Sequence, residues 1–83
     1  MTNEVIFERI SCIFRDVFDD DSITLTETTS ASEIEGWDSL EHINLVLAIE
    51  HDFGIRFSIN EVTEMKNIRD IINVIKTKIQ SNP

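Results

Sequence analysis

The sequence predicts an all-α fold: a four-helix bundle of three long helices and one short one, with a long first loop. Three observations carry this expectation. Apolar residues recur at three- and four-residue steps in separate segments, the spacing of a helix face rather than the alternation of a strand. The capping residues Asp38, Ser58 and Asn67 stand immediately before such segments. The 83 residues contain two glycines and one proline, Pro83 at the very end, so no strong breaker interrupts the interior.

The first helix is expected over 4–18, where Ile6, Ile10, Ile13, Phe14 and Val17 form one stripe and Cys12 falls nearly opposite it. From Asp19 to Trp37 the period is lost. The Asp, Ser, Thr and Glu content there reads as a long loop with a short turn near Ile23 and Leu25. Loops of this length are uncommon in small domains and are often functional. Asp38, with Glu41 three residues on, forms a capping pattern; a helix opens at Ser39 and reaches Phe53, where Gly54 stops it. Ser58 and Glu61 repeat the capping box ahead of a short helix containing Val62 and Met65. Asn67 caps a last helix with the stripe Ile68, Ile71, Ile72, Ile75 and Ile79, and Lys76 and Lys78 complement the dipole at its end. The expected core unites Leu45, Val46, Ile49 and Phe53 with Ile68, Ile72 and Ile75.

Length and composition narrow the function classes. A chain of this size buries only about 60 to 65% of its unfolded surface, so residues 1–83 are expected to form a single domain without a deep enzyme cleft. No apolar run approaches the roughly 20 residues that span a bilayer. The N-terminus has neither a basic region nor a continuous apolar one, so a cytoplasmic location is expected and a membrane partner is not. The single cysteine, Cys12, excludes an internal disulfide framework and a multi-cysteine metal site. The formal charge of 7 − 16 = −9 argues against nucleic acid and favours protein partners with basic surfaces. No Lys or Arg occurs between Arg15 and Arg56, while 11 of the 16 acidic residues fall inside that stretch. Such a block is either a solvated face or a docking surface.

The second helix carries more apolar surface than a core needs. At 100° per residue, Leu45, Val46, Ile49 and Phe53 fall on one side and Leu40, Asn44, Leu47 and His51 on the other, with Ile43 at the border. One side must face the core. The other is either buried as well or an apolar patch beside Asp38 and Glu41, suited to a basic partner.

The run Gly36-Trp37-Asp38-Ser39-Leu40, followed by Leu45-Val46-Leu47-Ala48-Ile49-Glu50 and Phe53-Gly54-Ile55, resembles the signature of the acyl carrier protein family around its phosphopantetheine serine. With the acidic loop before it and the short helix after it, the resemblance covers essentially the whole chain. It implies a free-standing, non-catalytic, monomeric carrier whose Ser39 receives a 4′-phosphopantetheine arm from coenzyme A through a phosphopantetheinyl transferase. Acyl cargo then rides on the arm's thiol as a thioester. By the same resemblance Asp38, Leu40, Glu41, Ile43, Leu47 and Glu50 match positions presented to transferases, loading ligases and synthases with basic surfaces. A phosphodiester at a helix start is also physically apt, because the free N–H groups and positive dipole end favour an anion.

The sequence departs from the commonest fatty-acid pattern. Asn44 stands where an acidic residue is frequent, and His51 again interrupts the acidic run. Trp37 and the segment Phe53-Gly54-Ile55-Arg56-Phe57 look more like carriers of specialised or accessory pathways. An aminoacyl, D-alanyl or peptidyl carrier uses the same scaffold, and a plain acidic interaction module would share the helices and charge but not Asp38-Ser39-Leu40 at that junction.

Other chemistries fit less well. Gly-Asp-Ser-Leu marks a family of serine esterases, but Trp37 breaks that motif here, and Asp38, Ser39 and His42 on one helical turn cannot aim at a common reacting centre. A calcium loop starting at Asp19 needs Gly and Glu where Thr24 and Ser30 stand. His42 and His51 lack metal-ligand spacing and are expected to be packed or hydrated helix residues. No metal site is expected.

Overall fold

The computed structural model describes residues 2–81. Helix α1 (Asn3–Val17) opens on Thr2, whose hydroxyl accepts a hydrogen bond from Val5 N at 3.2 Å, and it buries Ile6, Ile10, Ile13 and Phe14. Helix α2 (Ser39–Phe53) starts and ends where its caps predict, with Gly54 in the left-handed region at φ 67°. A residue without a Cβ adopts that geometry at the least steric cost. Helix α3 (Ile59–Glu64) has the full capping box: Ser58 Oγ accepts from Glu61 N, and the Glu61 carboxylate accepts from Ser58 N at 2.7 Å. Helix α4 (Ile68–Ser81) begins after Asn67, whose side-chain oxygen accepts from Asp70 N at 2.9 Å. Among the described residues there is no strand, only one isolated bridge between Ser30 and Asn67.

Two local expectations need correction. Met65 lies just past α3 rather than in it, at φ −79° and ψ 84°; its side chain turns into the core, 4% exposed. The turn expected near Ile23 is present, with Ile23 N donating to Asp20 O at 3.4 Å, and the same loop also holds a 3₁₀ turn at Ala31–Glu33. Glu33 causes it, because its carboxylate accepts from Ser30 N at 2.8 Å, whereas Leu25 is buried in the core. The capping box expected at Asp38 and Glu41 is half formed. Asp38 accepts from Glu41 N, but the Glu41 carboxylate takes the Asn44 amide at 3.2 Å instead of reaching back.

The core joins all four helices and the loop. Helix α1 packs against both α2 and α4, and Leu45, Ile49, Ile68, Ile71 and Ile75 have no exposed surface. The long loop is held rather than slack. Leu25, Thr29 and Trp37 are buried, Arg15 Nε donates to Ile23 O at 3.1 Å, and the loop carbonyls of Thr29 and Glu27 accept from Ile68 N and Arg69 N at 3.0 and 2.9 Å. Those two amides open α4 and have no partner within the helix, so the loop supplies the missing acceptors.

Candidate functional site

Ser39 is the first residue of α2 and is exposed. Asp38 positions it: Asp38 Oδ1 accepts from Glu41 N at 2.9 Å and its carbonyl from His42 N at 2.8 Å. The N–H groups of Ser39 and Leu40 have no hydrogen-bond partner among the described residues, so the positive end of the helix is open beside the hydroxyl.

A groove of about 550 Å³ runs along Ser39. Ser30, Ala31 and Ser32 of the loop form one bank, Trp37, Asp38 and His42 the middle, and Val62, Thr63, Met65 and Lys66 the other bank. Hydroxyls and one cation thus alternate with apolar side chains. At α3, the Glu61 carboxyl is held below the usual carboxylate range, first by the Ser58 N–H and then by the Lys78 ammonium 2.9 Å away. That ionised cap keeps the short helix, and so Val62 and Thr63, in place.

The outer face of α2 answers the question its sequence leaves open. Leu40, Ile43 and Leu47 are 67, 54 and 56% exposed, while Leu45, Val46 and Ile49 are buried. The apolar patch is therefore real, and Asp38 and Glu41 flank its first turn. Glu50 differs from the other docking candidates. It is half-buried, and its carboxylate accepts from Phe57 N at 2.7 Å, which ties the segment after α2 back to the helix. Leu47 and Glu50 line a second groove with His51, Gly54, Ile55 and Arg56.

Sequence reading missed the interaction at the centre of the first groove. Trp37 Nε1–H donates to His42 Nδ1 at 3.0 Å, and His42 Nε2 lies 3.1 Å from the carbonyl oxygen of Val62. Trp37 is 7% exposed and meets Phe14 of α1 edge-on, with ring centroids 5.1 Å apart. The available signal was a tryptophan and a histidine flanking the capped serine, but its meaning depends on Val62, 20 residues along the chain.

Chemically, the hydroxyl has no activating base of its own. Both His42 nitrogens are occupied by other partners, His51 sits near the far end of the same helix, and no side chain among the described residues hydrogen-bonds Ser39. The site can present an alcohol to an outside enzyme. Among the described residues no group of three or more His, Cys, Asp or Glu side chains could hold a metal ion, and no helix is long and apolar enough to cross a membrane.

The phosphopantetheine attachment site family matches residues 8–75. A curated relative, acyl carrier protein of Thermosynechococcus vestitus, is 27% identical over 79 residues, covering 95% of this chain and 98% of its own. Another, acyl carrier protein of Rickettsia canadensis, is 34% identical over 59 residues, 71% of this chain and 67% of its own. The solution structure of holo acyl carrier protein from Geobacter metallireducens superposes with a TM-score of 0.82 at 42% identity, covering 88% of this chain and 84% of that one. The crystal structure of acyl carrier protein from Thermotoga maritima gives 0.86 at 22% identity, covering 98% and 94%, a likeness of fold.

Proposed function

Since the chain belongs to the acyl carrier protein family, whose prosthetic group is 4′-phosphopantetheine, we propose that Ser39 is the residue that receives this arm. The chain would serve as a single non-catalytic carrier domain. The observation that carries the reading is an exposed hydroxyl at the open start of α2, beside a groove and without an internal base. Once attached, the arm supplies a thiol that holds acyl groups as thioesters.

The residues present suit such a group. The free amides of Ser39 and Leu40 favour the phosphodiester charge. Lys66 adds a cation to the groove, the hydroxyls of Ser30, Ser32 and Thr63 match amide groups, and Trp37, Val62 and Met65 offer an apolar wall. Asp38 keeps the hydroxyl at the helix start, where a transferase can reach it.

Asp38, Leu40, Glu41, Ile43 and Leu47 are the proposed docking residues for a phosphopantetheinyl transferase and for loading and synthase enzymes with basic surfaces, with Glu50 contributing through its structural bond. We place the carrier in a specialised biosynthetic pathway on the exposed Asn44 and His51, which interrupt an otherwise acidic and apolar face, and propose that it acts as a cytoplasmic monomer.

The test is direct. Incubated with coenzyme A, Mg²⁺ and a broad-specificity transferase, the chain gains the mass of one arm and Ser39→Ala gains none. An unmodified chain, or an equal gain in Ser39→Ala, overturns the assignment.

A further inference from the structure

His42 joins three parts of the chain that are far apart in sequence. Its Nδ1 accepts from Trp37 Nε1–H at 3.0 Å, its Nε2 faces Val62 O at 3.1 Å, and its ring stacks on the indole with centroids 5.9 Å apart and planes 26° apart. An indole N–H can only donate and a carbonyl can only accept. The two partners therefore select one state of the ring: neutral, with the proton on Nε2. A second proton on Nδ1 would face the indole N–H donor to donor, and the bond between them would be lost. Trp37 is two residues before Ser39, and Val62 lines the opposite bank of the groove.

We propose that His42 is a positioning residue for arm attachment at Ser39, a latch that fixes Trp37 and α3 around the groove through its two ring nitrogens. This rests on the assignment of Ser39 made above. Mechanically, the Trp37 ring is held between Phe14 of α1 and His42, so the short Trp37-Asp38 link into α2 cannot swing. Helix α3 is only six residues long, and His42 supplies a donor to one of the carbonyls near its C-terminal end. The charged groups sharing the groove are Asp38, at the start of the same helix, and Lys66, after α3; α1 presents the Phe14 ring and the loop presents the hydroxyls of Ser30 and Ser32. Glu41, one position before His42, holds Asn44, and Glu61, one before Val62, is engaged with Ser58 and Lys78.

The test combines a ring readout with a rate. Long-range ¹H–¹⁵N spectra of the full chain should show His42 with its proton on Nε2, and the fluorescence of Trp37, the chain's one tryptophan, should differ between the unaltered chain and His42→Gln. Attachment kinetics from intact-mass time courses are then compared for the unaltered chain, His42→Gln and Trp37→Phe, with circular dichroism to show that the helices are retained. Because misplacement of a reacting group is costly, the unaltered chain should be roughly three- to tenfold faster than His42→Gln, in kcat rather than KM. Trp37→Phe, which keeps a ring against Phe14 but lacks the donor, should follow His42→Gln. Equal kcat for folded His42→Gln and the unaltered chain, or a ring protonated on Nδ1, overturns the latch alone; no mass gain in the unaltered chain overturns the Ser39 assignment and the latch's role with it.

Discussion

Arg9 of α1 grips the end of α2 at Asp52: its Nε donates to Asp52 Oδ2 at 3.0 Å and its Nη2 to the Asp52 carbonyl at 2.9 Å. The same guanidinium lies 4.4 Å from the centre of the Phe53 ring. In a chain of net charge −9, this places a basic group on the α1 side of α2, away from the exposed Leu40, Ile43 and Leu47. The pair secures the α1–α2 packing without neutralising the patch.

Replacing Arg9 with Ala should cost about 1 kcal/mol, the sum of a partly exposed ion pair and a cation–π contact. For a domain of this size that is a fall of about 4 to 8 °C in Tm. Thermal melts at low and high salt check it. An unchanged Tm at low salt would show that the grip contributes nothing.

Reversing charge on the outer face of α2 should separate docking from stability. Glu41→Lys leaves Tm nearly unchanged, because Glu41 holds only Asn44, but slows arm attachment roughly tenfold at low salt, with the difference shrinking as salt screens it. Glu50→Lys behaves differently: it breaks the bond to Phe57 N and lowers Tm. Equal attachment rates for Glu41→Lys and the unaltered chain at low salt would remove electrostatic docking from that face.

Acid should loosen α3 through Glu61. Its folded pKa is lowered, chiefly by the Ser58 N–H and then by Lys78. The stabilisation is therefore complete above the ordinary glutamate value of about 4.3 and is lost as pH falls through the lower folded value. Glu61→Gln should lose part of this stabilisation at neutral pH and show a shallower acid dependence between about pH 5 and 3. Equilibrium unfolding followed by circular dichroism tests this, and parallel pH curves for the two proteins would contradict it.

Cargo of sufficient length should stabilise the carrier. Trp37, Val62 and Met65 wall the groove beside Ser39, and the aliphatic core behind it contains no buried charge, so it yields to an apolar guest more easily than a polar network would. Each buried methylene contributes about 0.8 kcal/mol, against a total stability of about 5 to 10 kcal/mol. An octanoyl form should melt several degrees above the holo form, and an acetyl form should not. Coincident melts, with backbone NMR shifts confined to the surroundings of Ser39, would favour an aminoacyl or peptidyl carrier whose arm stays in solvent.

Features that act over one helical turn are specified by neighbouring residues. Asp38, Ser58 and Asn67 start helices because their side chains reach amides three residues on. Gly54 ends α2 because it takes φ 67° at the least steric cost, and Ser39, following the Asp38 cap, is legible as an exposed hydroxyl at a helix start. Tertiary structure decided what depends on distant partners. Both sides of α2 are partly apolar, and the packing of α1 buries Leu45, Val46 and Ile49 and leaves Leu40 and Leu47 in solvent. The course of the long loop follows from Glu27 and Thr29 finding the amides of Arg69 and Ile68, about 40 residues away. Glu50 becomes a structural acceptor, and His42 a bridge, only when Phe57 and Val62 arrive beside them. The physical reason is range: a cap or an apolar period is specified by residues three or four apart, whereas a hydrogen bond across the bundle exists only once the chain has packed.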